Sequence, residues 1–170
     1  MLGSVLPAAR GALTVLVSGD VDVFHRSRPL LERIGRLLFF LGEPGVATKM
    51  KLANNLVLAT LMAGIAEAAA VAERSGIPRD KALDILAAGA GNSAVLAARR
   101  ESLLAEDFSP HFSAALLYKD LHYLQDLART QKRPLFTAAA VKELYALAFP
   151  RGVEGQDFPV IAKLLGGWAG

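Results

Sequence analysis

The chain has 170 residues, 53% hydrophobic and 21% charged, which excludes a disordered polypeptide and gives enough length for one domain, or one domain with part of another, to bury a core. Its 19 basic and 16 acidic residues are interleaved, so the net charge of +3 makes no nucleic-acid footprint, and the lack of cysteine excludes disulfides and thiolate zinc sites. So apolar a surface predicts a partner, either a second copy or a neighbouring domain, and a cysteine-free chain is expected in the cytoplasm.

In chain order, the apolar run that ends at Val17-Ser18-Gly19 has its only positive side chain, Arg10, too late for a secretion signal. Leu13 to Val17 is apolar with β-branched residues and is closed by Ser18-Gly19-Asp20, which predicts a buried strand. Helical spacing of Val23, Phe24, Leu30, Leu31 and Ile34 predicts a helix over 21–36, and Leu37 to Leu41 a second strand before Gly42-Glu43-Pro44-Gly45. The basic stretch Arg26, Arg28, Arg33 and Arg36 interleaves with Asp20, Asp22 and Glu32, as a solvated helix face does.

From Val46 to Ser75 there is no proline and no turn cluster, and the composition predicts one helix of about 45 Å, ended by Gly76 with Pro78 beyond. Its most apolar stretch, Leu56 to Ala66, is about half the length of a membrane span and is expected to be buried in protein. Shorter helices are expected over Pro78–Ala88, Ser93–Leu104, Ser113–Thr130 and Leu135–Ala148. A last helix should be capped by Asp157, with Pro159 in its first turn, and should end at Gly166-Gly167. The fold class is therefore mainly α: a helical domain over 45–170 built on one long helix, preceded by a strand-helix-strand remnant of an α/β domain over 1–44. A three-element α/β piece cannot cover both faces of its own sheet, so the rest of that domain is expected outside this sequence.

The strongest chemical signal is the segment Gly45-Val46-Ala47-Thr48-Lys49-Met50-Lys51-Leu52-Ala53-Asn54-Asn55. Lys51 and Asn55 are a helical turn apart and project from one face, on an element whose next turns are almost wholly apolar. A cleft at this end explains them, and so does a solvent-exposed helix start. An amine beside a carboxamide suits alcohol oxidation: the amine takes the hydroxyl proton and the amide holds the oxygen, provided burial or a nearby cation lowers the lysine pKa. Lys49 points elsewhere. Lys119-Asp120 reads equally well as an ordinary surface charge pair. His25, His111 and His122 share no ligand spacing, so no metal is expected, and no glycine-rich nucleotide loop or hydrolase elbow occurs.

Several motifs occur together in order: Gly3-Ser4; Ala8-Ala9-Arg10-Gly11 before the first strand; Gly45 with Lys51 and Asn55; Ala66-Glu67-Ala68; and Phe108, Pro110 and Phe112 leading to Lys119-Asp120-Leu121. This order resembles the β-hydroxyacid dehydrogenases, which include 3-hydroxyisobutyrate dehydrogenase and tartronate semialdehyde reductase, with 6-phosphogluconate dehydrogenase more distant. The resemblance implies a 6-phosphogluconate-dehydrogenase-like helical domain, a Rossmann-type remnant before it, NAD or NADP as cofactor, a small β-hydroxy acid as substrate, and a homodimer or homotetramer through the helical domain. It further implies Lys51 as the catalytic lysine, Asn55 as its substrate-orienting partner, Gly3 and Ser4 in the loop that holds the substrate carboxylate, and Lys119 on the cofactor side. Leu2 stands where the family commonly has serine. The family's glycine-rich fingerprint would precede Met1, so this chain alone is not expected to bind a dinucleotide in the family's manner. The rival readings are a catalytically silent dimerisation module of the same descent and an unrelated helical interaction domain.

Overall fold

The structure, a computed structural model, describes residues 1–166. It divides into two compact units, Met1–Asn54 and the residues from Asn55 onward. In the first, β1 (Thr14–Val17) and β2 (Leu37–Phe40) pair in parallel, in the register Thr14↔Leu37 to Val17↔Phe40. Between them runs α2 (Val21–Ile34), which starts where the Asp20 carboxylate accepts the amide of Val23 at 2.8 Å. Phe24 turns inward and stacks on Phe40 with ring centroids 5.0 Å apart, while Arg28 and Glu32 pair at 2.8 Å on the exposed face, as the charge pattern predicts. Gly35 is required sterically: a Cβ there would lie 1.9 Å from the carbonyl oxygen of Leu13. The short helix α1 (Val5–Ala9) is not foreseen by periodicity, being only five residues long. Leu2, just before it, forms an antiparallel bridge to Thr14.

The long helix α3 (Val46–Arg74) runs from the first unit into the second. It ends as expected, with Gly76 at φ +84° and the amide of Ile77 returning to the carbonyl of Ala72 at 3.0 Å. By length and composition α3 could cross a membrane, which corrects the shorter apolar span read from the sequence. Here, however, Ala59, Met62, Ala63, Ala66 and Ala69 recur at helical spacing and enter the core of the second unit. Against them come α4 (Arg79–Ala88), α5 (Ala94–Ala105), α6 (Ala114–Thr130) and α7 (Phe136–Ala146), through Leu83, Leu96, Leu103, Leu117, Leu121 and Tyr145. Ser93 and Ser113 cap α5 and α6 through the amides of Leu96 and Leu116.

A 3-10 turn over Phe158–Val160 leads into α8 (Ile161–Gly166), and the expected stop at Gly167 lies outside the described residues. Asp157 does not cap this last element. The amide of Val160 bonds to Asp157's own carbonyl at 2.9 Å and Pro159 has no donor, so the turn has little use for the carboxylate. The carboxylate instead accepts the amides of Phe112 and His111 at 2.8 and 3.3 Å and faces Arg99 at 3.4 Å.

Candidate active site

In the first unit, Lys51 is half-buried in the second turn of α3. Met1 lies within electrostatic reach of that lysine. Two residues on, Gly3 takes φ +115°, and a Cβ there would lie 2.6 Å from Leu13 Cδ2, so backbone and packing both demand glycine. Ser4 begins α1 with its side chain making no cap bond.

In the second unit, Asn55 is only 6% exposed, which rules out the solvent-exposed helix start for this residue. Its Nδ2 donates to Asp120 Oδ2 at 2.8 Å, across 65 residues of sequence. A carboxylate only accepts, so the amide nitrogen must face Asp120, which fixes the carboxamide's orientation. One N–H is thereby committed, and the geometry of the amide leaves its carbonyl directed away. Asp120 itself is 2% exposed. The Lys119 ammonium lies 3.3 Å from Asp120 Oδ1 and 5.7 Å from the Tyr123 ring centroid, on a side chain 47% exposed. The surface-pair reading therefore holds for Lys119 and fails for Asp120. Sequence reasoning undervalued Asp120, yet a signal was there: an acidic residue set into the buried stripe Leu117, Leu121, Leu124 of α6.

Lys51 and Asn55 follow one another by a turn on the uninterrupted α3, so their positions share one helix face. Phe108 and Phe112, the aromatic members of the motif before Lys119, serve the backbone: the carbonyls of Phe108 and Phe112 accept the amides of Asp157 and Phe158 at 2.9 and 3.0 Å.

Asp20 occupies the N-terminus of α2, and the amide of Ala47, at the start of α3, donates to Ser18 Oγ at 3.3 Å. Among the described residues no three His, Asp or Glu side chains gather as metal ligands.

A family model described as the NAD-binding domain of NADP-dependent 3-hydroxyisobutyrate dehydrogenase matches residues 45–165. The chain belongs to this family. Like other 3-hydroxyisobutyrate dehydrogenase-like chains it is mainly helical around one long helix, with a Rossmann-type fragment ahead of it. The chain is 31% identical over 166 residues to L-threonate dehydrogenase of Escherichia coli strain K12, covering 97% of itself and 55% of that protein. It is also 31% identical over 169 residues to the NAD-dependent L-serine dehydrogenase of Pseudomonas aeruginosa, covering 95% and 57%. The structure of Mycobacterium tuberculosis 3-hydroxyisobutyrate dehydrogenase with L-serine superposes with a TM-score of 0.86 at 29% identity, covering 96% of this chain and 58% of that one. The chain thus spans about half the length of the curated relatives it matches.

Proposed function

We propose that this chain is the substrate-side portion of an NAD(P)-dependent enzyme interconverting a small β-hydroxy acid and its semialdehyde, with Lys51 as general acid and base. The observation that carries this reading is the buried bond from Asn55 to Asp120, because it holds a carboxamide in one orientation a single helical turn beyond an amine. A bound nicotinamide would supply the hydride acceptor for oxidation of the carbinol carbon. Lys51 takes the hydroxyl proton as the carbon–oxygen double bond forms, and in reduction it returns that proton to the carbonyl oxygen. Asn55 holds the reacting oxygen, and Asp120 keeps Asn55 from rotating away, which makes Asp120 a positioning residue. The backbone at Gly3 and the hydroxyl of Ser4 receive the substrate carboxylate, and Lys119 faces the cofactor.

Family membership and relatives named for L-threonate and L-serine support a small polar hydroxy acid as the substrate class. The remaining cofactor contacts come from a dinucleotide-binding region beyond the residues given, and the assembly is a cytoplasmic homodimer or homotetramer through the helical unit. Joined to such a region, the wild-type chain should reduce NAD or NADP in the presence of a β-hydroxy acid. Lys51→Ala should lose about 100-fold or more in kcat with its fold intact. Unchanged turnover in that variant would remove Lys51 from the chemistry, and no turnover in either protein would favour the silent dimerisation module.

A further inference from the structure

The turn between α6 and α7 gathers three cations and an exposed aromatic ring. Arg129, Lys132 and Arg133 line an open groove of about 490 Å³ together with Ala128, Leu135 and Phe136, and no acidic side chain lines it. Phe136 is 83% exposed, more than any other large hydrophobic residue among those described. Arg129 pairs with Asp126 at 3.0 Å, whereas Lys132 and Arg133 have no ion-pair partner among the described residues. Lys132 also stands where glycine is the easier choice. At the end of α6 the amide of Lys132 returns to the carbonyl of Arg129 at 3.1 Å and that of Arg133 to Ala128 at 2.9 Å, with Lys132 left-handed at φ +54°. The same pair of bonds closes α3 around Gly76 and the turn after α7 around Gly152. After α5 the left-handed residue is Glu106, and its carboxylate accepts a bond from Arg79 at 2.9 Å. Lys132 has no such partner, so a side chain is kept in an unfavourable backbone position while its ammonium stays available to a ligand.

We infer that this groove binds a small phosphorylated aromatic molecule of the nucleoside monophosphate class, its phosphate on Lys132 and Arg133 and its ring on Phe136. The volume falls in the range of small-molecule sites, roughly 300–1,000 Å³. The flat guanidinium of Arg133 matches two phosphate oxygens at once, and Lys132 adds a compact positive charge. A planar ring laid on Phe136 removes apolar surface from water on both partners. An alkyl chain gains less, since in so open a groove most of it stays in water. The site is separate from the candidate active site, because Asp120 and Arg129 stand about two and a half turns apart on α6. It therefore holds or fails independently of the role given to Lys51.

Titration of the whole chain with adenosine monophosphate, followed through the amide NMR spectrum, tests this. Shift changes should concentrate in residues 125–139. Lys132→Gly should weaken binding about 5- to 20-fold yet raise Tm by about 2 °C, because glycine relieves the left-handed turn. A lysine with only a structural role could not move the two readouts in opposite directions. Arg133→Gln should weaken binding by about the same factor, and Phe136→Ala by about 10-fold. Ribose phosphate, which has no ring to stack, should bind more weakly than adenosine monophosphate and be indifferent to Phe136→Ala. Arg151→Gln, at an exposed arginine beyond the far end of α7, should change nothing. Circular dichroism checks that each variant is folded. The proposal is overturned if adenosine monophosphate causes no shifts at about 10 mM, or if Lys132→Gly gains stability and keeps full affinity. Equal losses in Arg151→Gln reduce the effect to general charge, and an affinity that Phe136→Ala leaves unchanged removes the ring; either result refutes the site as assigned. Oligothymidylate binding about 100-fold more tightly than adenosine monophosphate assigns the groove to single-stranded nucleic acid instead.

Discussion

Breaking the Asn55–Asp120 contact should have an effect that can be worked through from the geometry. In Asn55→Ala, a buried carboxylate loses a charge-assisted bond of 2.8 Å, and bonds of this type contribute about 1.5–3 kcal/mol. Alanine is the better helix former by roughly 0.5 kcal/mol, which offsets part of the loss. The net destabilisation is about 1–2.5 kcal/mol, or roughly 2–10 °C in Tm for a chain of this size. Asp120→Ala removes the other end of the same bond. A double-mutant cycle by urea denaturation cancels the propensity difference and should return a coupling of about 1.5–3 kcal/mol. A coupling below roughly 0.5 kcal/mol would mean that the carboxylate does not hold the amide, and the argument for a positioned Asn55 would fail with it.

Gly35→Ala should destabilise the first unit by about 3 kcal/mol or more, because its new methyl would sit 1.9 Å from a backbone oxygen that can move only with β1; thermal melting of the variant checks this. Asp157→Ala strips two amides and Arg99 of their shared acceptor and should cost about 2–4 kcal/mol in the same assay. The Tyr145 phenol is buried without a protein hydrogen-bond partner, and burial, then the nearby Asp157 charge, pushes its pKa well above the ordinary tyrosine value. The folded state therefore favours the protonated phenol. Its contribution is complete below the unfolded value of about 10 and is lost as pH rises through the higher folded value. Tyr145→Phe should remove that alkaline loss and leave neutral-pH stability equal or raised by about 1 kcal/mol; a loss of several kcal/mol at neutral pH would show that the hydroxyl is satisfied.

Most of the architecture was legible in local chemistry. The strand pair, the intervening helix and the long helix with its glycine stop all follow from periodicity and end signals that agree with one another, from Asp20 at the start of α2 to Gly76 after α3. Asp157 misled because a good capping residue before an apolar run looks the same whether it serves its own helix or a distant loop, and only the fold brings His111 and Phe112 to it. The five-residue α1 is too short to show a period. In the candidate site, Lys51 and Asn55 stand out as polar groups on an apolar helix. Asp120 resembles half of a surface pair, because the residue that buries it into a network lies 65 positions away.

The central claim is that Lys51 moves the substrate proton. Its most direct test is chemical rescue of Lys51→Ala in the chain completed with a dinucleotide-binding region. Added primary amines should restore part of the turnover, in proportion to the concentration of the free-base amine, with the substrate KM little changed. A variant that turns over at the wild-type rate, or one whose lost activity follows ionic strength and ignores the added amine's basicity, would contradict the account.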